Sequence, residues 1–359
     1  MKWSFRIGTI AGVSLRVHLT FPLFLAWMAI SQGLLTGQVA RALGTVALLL
    51  SVFGCVVLHE LGHAMAARRY GIRTRDIVLL PIGGVARLER MPEKPLQEIV
   101  VAVAGPAVNV AIVSLLWLLR RGAPLSLDPG NLGGPIETLM WINVGMIVFN
   151  LIPAFPMDGG RVLRALLALR MPYARATRTA ATIGQGIALL FGLAGLYTNY
   201  HMLMFVALFV FLAAGEEAAM VAARASMSGI LVRAAMVTEF AVLDVLDPLQ
   251  RAVDLLMAGS QHDFPVVESG VPVGVLSRHD LIVALQRLGA GGAVGEAIAR
   301  DGVFADPSEP LEQAFRRMRE RRHAALPVVS EGKLVGLITT KNVTELLLVQ
   351  DALRRRAVR

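Results

Sequence analysis

The chain of 359 residues is 55% hydrophobic and only 17% charged, with a mean hydropathy of +0.61. An ordinary soluble domain is about 45–50% apolar and about 25% charged, so that class is excluded. A single cysteine, Cys55, excludes an intrachain disulfide framework. The formal charge of +9 comes without a basic-aromatic stripe or zinc-finger spacing and so does not point to nucleic acid. In a membrane protein such an excess marks the cytoplasmic loops.

The apolar excess lies in residues 1–225, while residues 226–359 have a soluble composition. After a polar entry carrying Lys2, Arg6 and Arg16, residues 19–35 form the first apolar run. No cleavable signal peptide is expected, because the basic residues extend to Arg16 and no A-x-A-like site follows. Further runs at 43–66, 97–119, 137–156, 182–198 and 201–221 bring the expected count to about six transmembrane helices. The fourth contains Pro153 and Pro156, and the fifth is short. Threading these runs puts the amino terminus and the 68–95 and 161–178 loops, which hold most of the Arg and Lys, on one side. The other side has Arg41, Arg120 and Arg121, so both termini are expected in the cytoplasm. Residues 77–90 (IVLLPIGGVARLER) are apolar but too short to span. Their Pro-x-Gly-Gly centre predicts a strand or re-entrant hairpin, a short membrane-associated β segment, with an interfacial loop as the alternative.

The tail repeats itself. A shift of 62 residues aligns Leu249 with Leu311, Ala252 with Ala314, Pro265 with Pro327, Gly270 with Gly332, Gly274 with Gly336, and Ser277 with Thr339. Each copy reads as amphipathic helix, strand, Gly turn, strand and helix, an α+β unit that shares a buried face with its twin. The expected domains are 1–225 in the membrane, then 226–288 and 289–350. The tail pattern resembles a tandem pair of CBS domains. The Arg-rich run at 316–323 is expected to be a solvated helix face, with contact to anionic lipid or nucleotide phosphate as the alternative.

The sharpest chemical signal is His59-Glu60-Leu61-Gly62-His63 near the end of the second run. On a helix, positions i and i+4 stand about 40° apart, so both imidazoles leave one face, which suits two ligands of a tetrahedral Zn²⁺ with Glu60 beside them as general base. Ionisable groups inside a membrane are costly, which strengthens a functional reading over two hydrogen-bonded surface histidines. A catalytic zinc takes three protein ligands, and Asp158 in NLIPAFPMDGGR is the candidate third. The alternative is that Asp158 caps a helix over 160–170. Asn109 and Asn150 are amides in apolar segments, and each needs a partner when buried. They are read as substrate-backbone or oxyanion contacts or as interhelical hydrogen bonds, the latter favoured for Asn109. Cys55, one turn before His59, and His18 and His201 at run ends are read as structural.

His59-Glu60-x-x-His63 together with Asn150-x-x-Pro153-x-x-Pro156-Met157-Asp158-Gly159 resembles the site-2 protease family of intramembrane zinc metalloproteases. Met157 stands where that motif usually has Leu; Gly83-Gly84 and AGPAVN (104–109) also fit its habits. The resemblance covers residues 5–220, shows no PDZ-like insertion, and points to the subgroup with a CBS tail. It implies a zinc endopeptidase acting in regulated intramembrane proteolysis, with one Zn²⁺ per chain on His59, His63 and Asp158 and catalysis by Glu60. Because the peptide bonds of a substrate helix are tied up in the helix, residues 79–88, including Gly83 and Gly84, are expected to present an edge strand that pairs with an unwound transmembrane or membrane-associated protein substrate. A prokaryotic plasma membrane is the expected location. In CBS modules a Ser/Thr-x-x-Asp at the strand–helix junction contacts a nucleotide ribose. Ser277-x-x-Asp280 matches and Thr339-x-x-Asn342 departs at the acid, so ATP or AMP is expected chiefly at the first and the second pocket is expected weak or altered. Pairing of two copies through the CBS domains fits the same resemblance, and so does a purely structural tail. The competing functions are a CBS-regulated transporter or channel, which leaves the His–Glu–His–Asp set without a role, and an inactive scaffold homologue.

Overall fold

The computed structural model describes residues 3–34, 37–81, 83–88, 92, 94–121, 134–298, 300, 302–321 and 323–357. It divides into two units, Met1–Val221 and Ala222–Arg359.

The first unit begins with strands where the sequence reading placed only a polar entry. Ala11 and Gly12, at φ 51° and 84°, turn β1 (Ser4–Ile10) back on β2 (Val13–His18) as an antiparallel hairpin. Helix α1 (Thr20–Ala29) follows and passes through a π-helical turn at Ile30–Leu34. Helix α2 (Val39–Arg69) then runs 31 residues, about 46 Å. The apolar 77–90 segment is a hairpin of β3 (Thr74–Leu80) and β4 (Gly83–Leu88), with residues 82, 89 and 90 outside the described set. β3 pairs parallel to β2, giving the order β1-β2-β3-β4, so β4 is an edge strand.

Helices α3 (Pro95–Leu119), α4 (Pro135–Asn150), α5 (Asp158–Ala168), α6 (Tyr173–Tyr197) and α7 (His201–Met227) complete the unit. Among the described residues, four helices are long and apolar enough to cross a membrane: α2, α3, α6 and α7. The other two runs counted as crossings are shorter helices, α1 with 10 residues and α4 with 16. The fourth run breaks after Asn150, where Pro153 and Pro156 cannot continue an α-helix, and the chain turns through 151–157 into α5. Packing among α5, α6 and α7 uses small side chains, with Ala176, Ala180, Ala181, Ala188 and Ala214 buried, as helices in lipid require for close approach.

The second unit carries the repeat. Its first copy holds β5 (Leu243–Asp244), α8 (Leu249–Ala258), β6 (Phe264–Glu268), β7 (Val271–Leu276) and α9 (Arg278–Leu288). The second holds α10 (Leu311–Arg321), β8 (Ala325–Ser330), β9 (Lys333–Thr339) and α11 (Thr340–Ala357). The equivalent turns Ser269–Gly270 and Glu331–Gly332 all sit at positive φ. Leu249 and Ala252 anchor one core and their counterparts Leu311 and Ala314 the other, so the sequence offset is also a structural one.

Candidate metal centre

Near its carboxyl end α2 projects His59 and His63 from one face, 4% and 3% exposed. Their Nε2 atoms lie 3.1 Å apart. The chain's irregular 151–157 turn delivers Asp158 to the same point, with Oδ2 at 3.3 Å from His59 Nε2 and 3.1 Å from His63 Nε2. Asp158 is the first helical residue of α5; the N-cap is Met157, and no side chain caps the helix. The capping role considered from the sequence is therefore not the one Asp158 has. Arg161 Nη1 stands 3.5 Å from its other oxygen, Oδ1, and this neighbouring cation favours the ionised carboxylate.

The outer ring nitrogens decide which way the inner ones point. His63 Nδ1 lies 2.7 Å from the Val101 carbonyl oxygen, which only accepts, so Nδ1 donates. For His59 the direction is set by a chain of amides. Asn143 Nδ2 donates to the Leu139 carbonyl at 2.8 Å, leaving its Oδ1 to accept from Asn109 Nδ2 at 2.8 Å. Asn109 Oδ1 then accepts from His59 Nδ1 at 2.5 Å. In the neutral imidazoles both Nε2 atoms consequently carry lone pairs, aimed at each other and at Asp158 Oδ2, which has no hydrogen-bond donor. Three converging lone pairs in a buried site repel one another unless a cation stands between them. Ligands held at about 2.0–2.1 Å in a tetrahedron stand about 3.3 Å from each other, so the spacing fits Zn²⁺. Among the described residues this is the one cluster of three such ligands, which leaves the fourth position for water. Cys55 is buried and outside it.

Glu60 is half-buried beside the triad, and its Oε2 accepts the Ala86 backbone N–H of β4 at 3.1 Å. A main-chain donor on the edge strand thus fixes the carboxylate. Gly84 presses on the same group, since a Cβ there would lie 2.8 Å from Val56 and 3.1 Å from Glu60 Cγ. Gly83 opens the strand at φ 139°.

Asn109 is fully buried with both ends of its amide used, so it stands behind His59 rather than against a substrate. Asn150 Nδ2 donates to the Met146 carbonyl of its own helix at 3.0 Å. Asn143 was missed in the sequence, although it is a buried amide in the same apolar run as Asn150.

In the tail, Ser277 and Thr339 each accept the backbone N–H three residues on, from Asp280 and Asn342, both at 3.1 Å. Thr339 and Asn342 also line a cleft of about 350 Å³ with Glu239, Gln261, His262 and Lys341. Asp280 lines one of about 70 Å³ with Gly274 and His323, and Ser277 a separate hollow of about 440 Å³ with His262 and His279. Each motif therefore borders a cavity, and the two residues of the first motif border different ones.

Comparison with known proteins identifies the family of the chain. The model of peptidase family M50 matches residues 47–122 and 127–193, and the CBS domain model matches 232–287 and 294–349. The zinc metalloprotease MJ0392 of Methanocaldococcus jannaschii is 31% identical over 344 residues, 96% of both chains. The putative zinc metalloprotease Rip3 of Mycobacterium tuberculosis is 29% identical over 371 residues, covering 97% of this chain and 93% of its own. A solved site-2 protease from Methanocaldococcus jannaschii covers 60% of this chain and 95% of its own at 38% identity and a TM-score of 0.44. The chain belongs to peptidase family M50, the site-2 proteases, and carries a CBS domain pair behind its membrane domain.

Proposed function

We propose that this chain is a zinc endopeptidase that hydrolyses peptide bonds of transmembrane or membrane-associated proteins close to the cytoplasmic face of a prokaryotic plasma membrane. The convergence of His59, His63 and Asp158 beside a tethered Glu60 carries the reading. His59 and His63 would hold Zn²⁺ through Nε2 and Asp158 through Oδ2. When bound, the metal supplies Lewis acidity and acidifies its water toward a pKa of about 7. Glu60 accepts the proton of the attacking water and returns it to the leaving amine. The Ala86 N–H holds the Glu60 carboxylate in reach of both tasks.

A substrate helix must give up its own hydrogen bonds before its carbonyls are open to attack. β4 supports that step, because it is an edge strand and carries the Ala86 N–H that meets Glu60. An unwound segment laid along β4 would come to rest next to the base. A transporter reading gives the converging triad no role.

The tail is read as a sensor of an adenine nucleotide, supported by the cleft at Thr339 and Asn342, whose volume lies in the range of small-molecule sites. Calorimetry with AMP and ATP, comparing wild type with Asn342→Ala, tests this part: binding lost in the variant supports it, and no heat with either nucleotide refutes it.

The main test is cleavage of a pool of fluorophore–quencher single-span peptides, with and without a central Gly-Pro, by the protein in lipid vesicles. Wild type is expected to cleave those with the weakened helix first, and Glu60→Gln to retain its metal while losing at least about a hundredfold in rate. Equal turnover by wild type and Glu60→Gln would overturn the assignment.

A further inference from the structure

Arg164 is the largest side chain wholly inside the protein, 1% exposed, and nothing in the proposed chemistry uses it. It lies on α5, the helix that begins with Asp158. Its Nε donates to Glu98 Oε1 at 2.7 Å, with Nη2 at 2.5 Å from the same oxygen. Nη1 donates to Glu217 Oε1 at 2.6 Å. The guanidinium carbon stands 5.0 Å from the ring centres of both Phe155 and Tyr173. One side chain therefore ties α5 to α3 through Glu98, to α7 through Glu217, to the start of α6 through Tyr173, and to the turn that precedes Asp158 through Phe155. Lysine, a point charge without a planar fork, does not reproduce that set of contacts.

The placement of these ties matters for the metal ligands. α5 has 11 residues and no side-chain cap, and it follows an irregular segment with two prolines, so its own hydrogen bonds do not fix where Asp158 lies along the helix axis. Glu98 stands about one turn before Val101 on α3, and Val101 orients His63 while Asn109 on the same helix orients His59. Arg164 thus anchors the aspartate's helix to the helix that aims both imidazoles. Apart from Asp158 itself, Arg164 supplies the polar side-chain ties of α5 to other helices among the described residues.

We propose that Arg164 is a positioning residue of the metal centre, a clamp whose pairing with Glu98 and Glu217 sets Asp158 at ligand distance from His59 and His63. This rests on reading those three residues as the metal triad. The other charges facing the guanidinium are the two carboxylates named, one fully buried and one with its side chain 35% exposed on α7.

The test uses the full chain purified in detergent, stripped of metal and titrated with Co²⁺, reading both affinity and the visible ligand-field spectrum. Arg164→Met is expected to weaken Co²⁺ binding at least tenfold and to shift the spectrum toward that of Asp158→Ala. Arg164→Lys is expected to recover part of the affinity. Phe21→Leu, a packing change on α1 away from α5, is expected to lower the melting temperature while leaving affinity and spectrum as in wild type. Wild-type affinity and spectrum in Arg164→Met would overturn the inference, as would equal losses in Arg164→Met and Phe21→Leu at matched melting temperatures. Should Arg164→Met fail to fold, Arg164→Lys decides on the same two readings. Failure of wild type to bind Co²⁺ would instead overturn the metal triad itself.

Discussion

Gly105 of α3 lies directly against the inner edge of His63: a Cβ built on it would overlap Nε2 of that histidine and stand 2.7 Å from Nε2 of His59. The helix backbone itself forms one wall of the site, and only a residue without a side chain leaves both nitrogens free to meet a metal. Gly105→Ala is therefore expected to abolish zinc binding while α2 and α3 stay packed. Metal content by atomic absorption, with circular dichroism as the check on folding, reads this out. A Gly105→Ala protein with a full complement of zinc would show that the wall is not where the structure puts it.

Asn143 never touches the triad, yet its amide sets the direction of Asn109 and hence which nitrogen of His59 carries the proton. Such outer partners typically contribute about 10–100-fold to metal affinity. Asn143→Leu is expected to weaken zinc by about that factor in competition with a fluorescent chelator. Asn150→Leu, which loses only a bond to its own helix, is expected to leave affinity unchanged. Equal affinities for Asn143→Leu and wild type would remove the relay from the account of the site.

Gly84 separates metal binding from turnover. An alanine Cβ there pushes on Val56 and on Glu60 Cγ without reaching the ligands. Gly84→Ala is expected to keep its zinc and lose about tenfold or more in rate, in line with the contribution of a positioned general base. Because this substitution displaces Glu60, it does not report on strand pairing. N-methylation of alternate amides in the substrate peptide does, and cleavage rates indifferent to the methylated position would refute pairing with β4.

Removal of metal is expected to destabilise the membrane domain, since it leaves the Asp158 anion and two lone pairs converging in a buried site. A ligand present at about a thousand times its Kd stabilises by about 4 kcal/mol. Thermal unfolding with and without a chelator is expected to show a clear drop in Tm for wild type and almost none for Asp158→Ala. Equal shifts in the two would mean the chelator acts elsewhere.

The meeting of His59, His63 and Asp158 was legible in the sequence because such groups are expensive there: two imidazoles at i and i+4 and a carboxylate after broken backbone have few other reasons to sit in apolar segments. The tail was legible for a different reason, since a 62-residue offset that aligns turn glycines with core leucines is hard to produce without a repeated fold. The apolar runs located the helices but not their lengths: the fourth run, with Pro153 and Pro156 near its end, is helical only to Asn150. The β1–β2 hairpin was hidden by its arginines, although Phe5, Ile7 and the Ala11–Gly12 turn carried the alternation and turn signals of paired strands. Glu98, Arg164 and Glu217 are charges in apolar surroundings, the same signal that exposed the triad. Their meaning needed three-dimensional pairing, because each lies more than 50 residues from its partner.

The central claim is most directly tested by counting zinc in the detergent-purified protein, wild type against Asp158→Ala. About one zinc per chain in wild type, lost or loosened in the variant, is the expected result for a centre of two histidines and one aspartate. Carefully prepared wild type without zinc, or a variant that holds it as tightly, would contradict the three-ligand centre and the peptidase mechanism built on it.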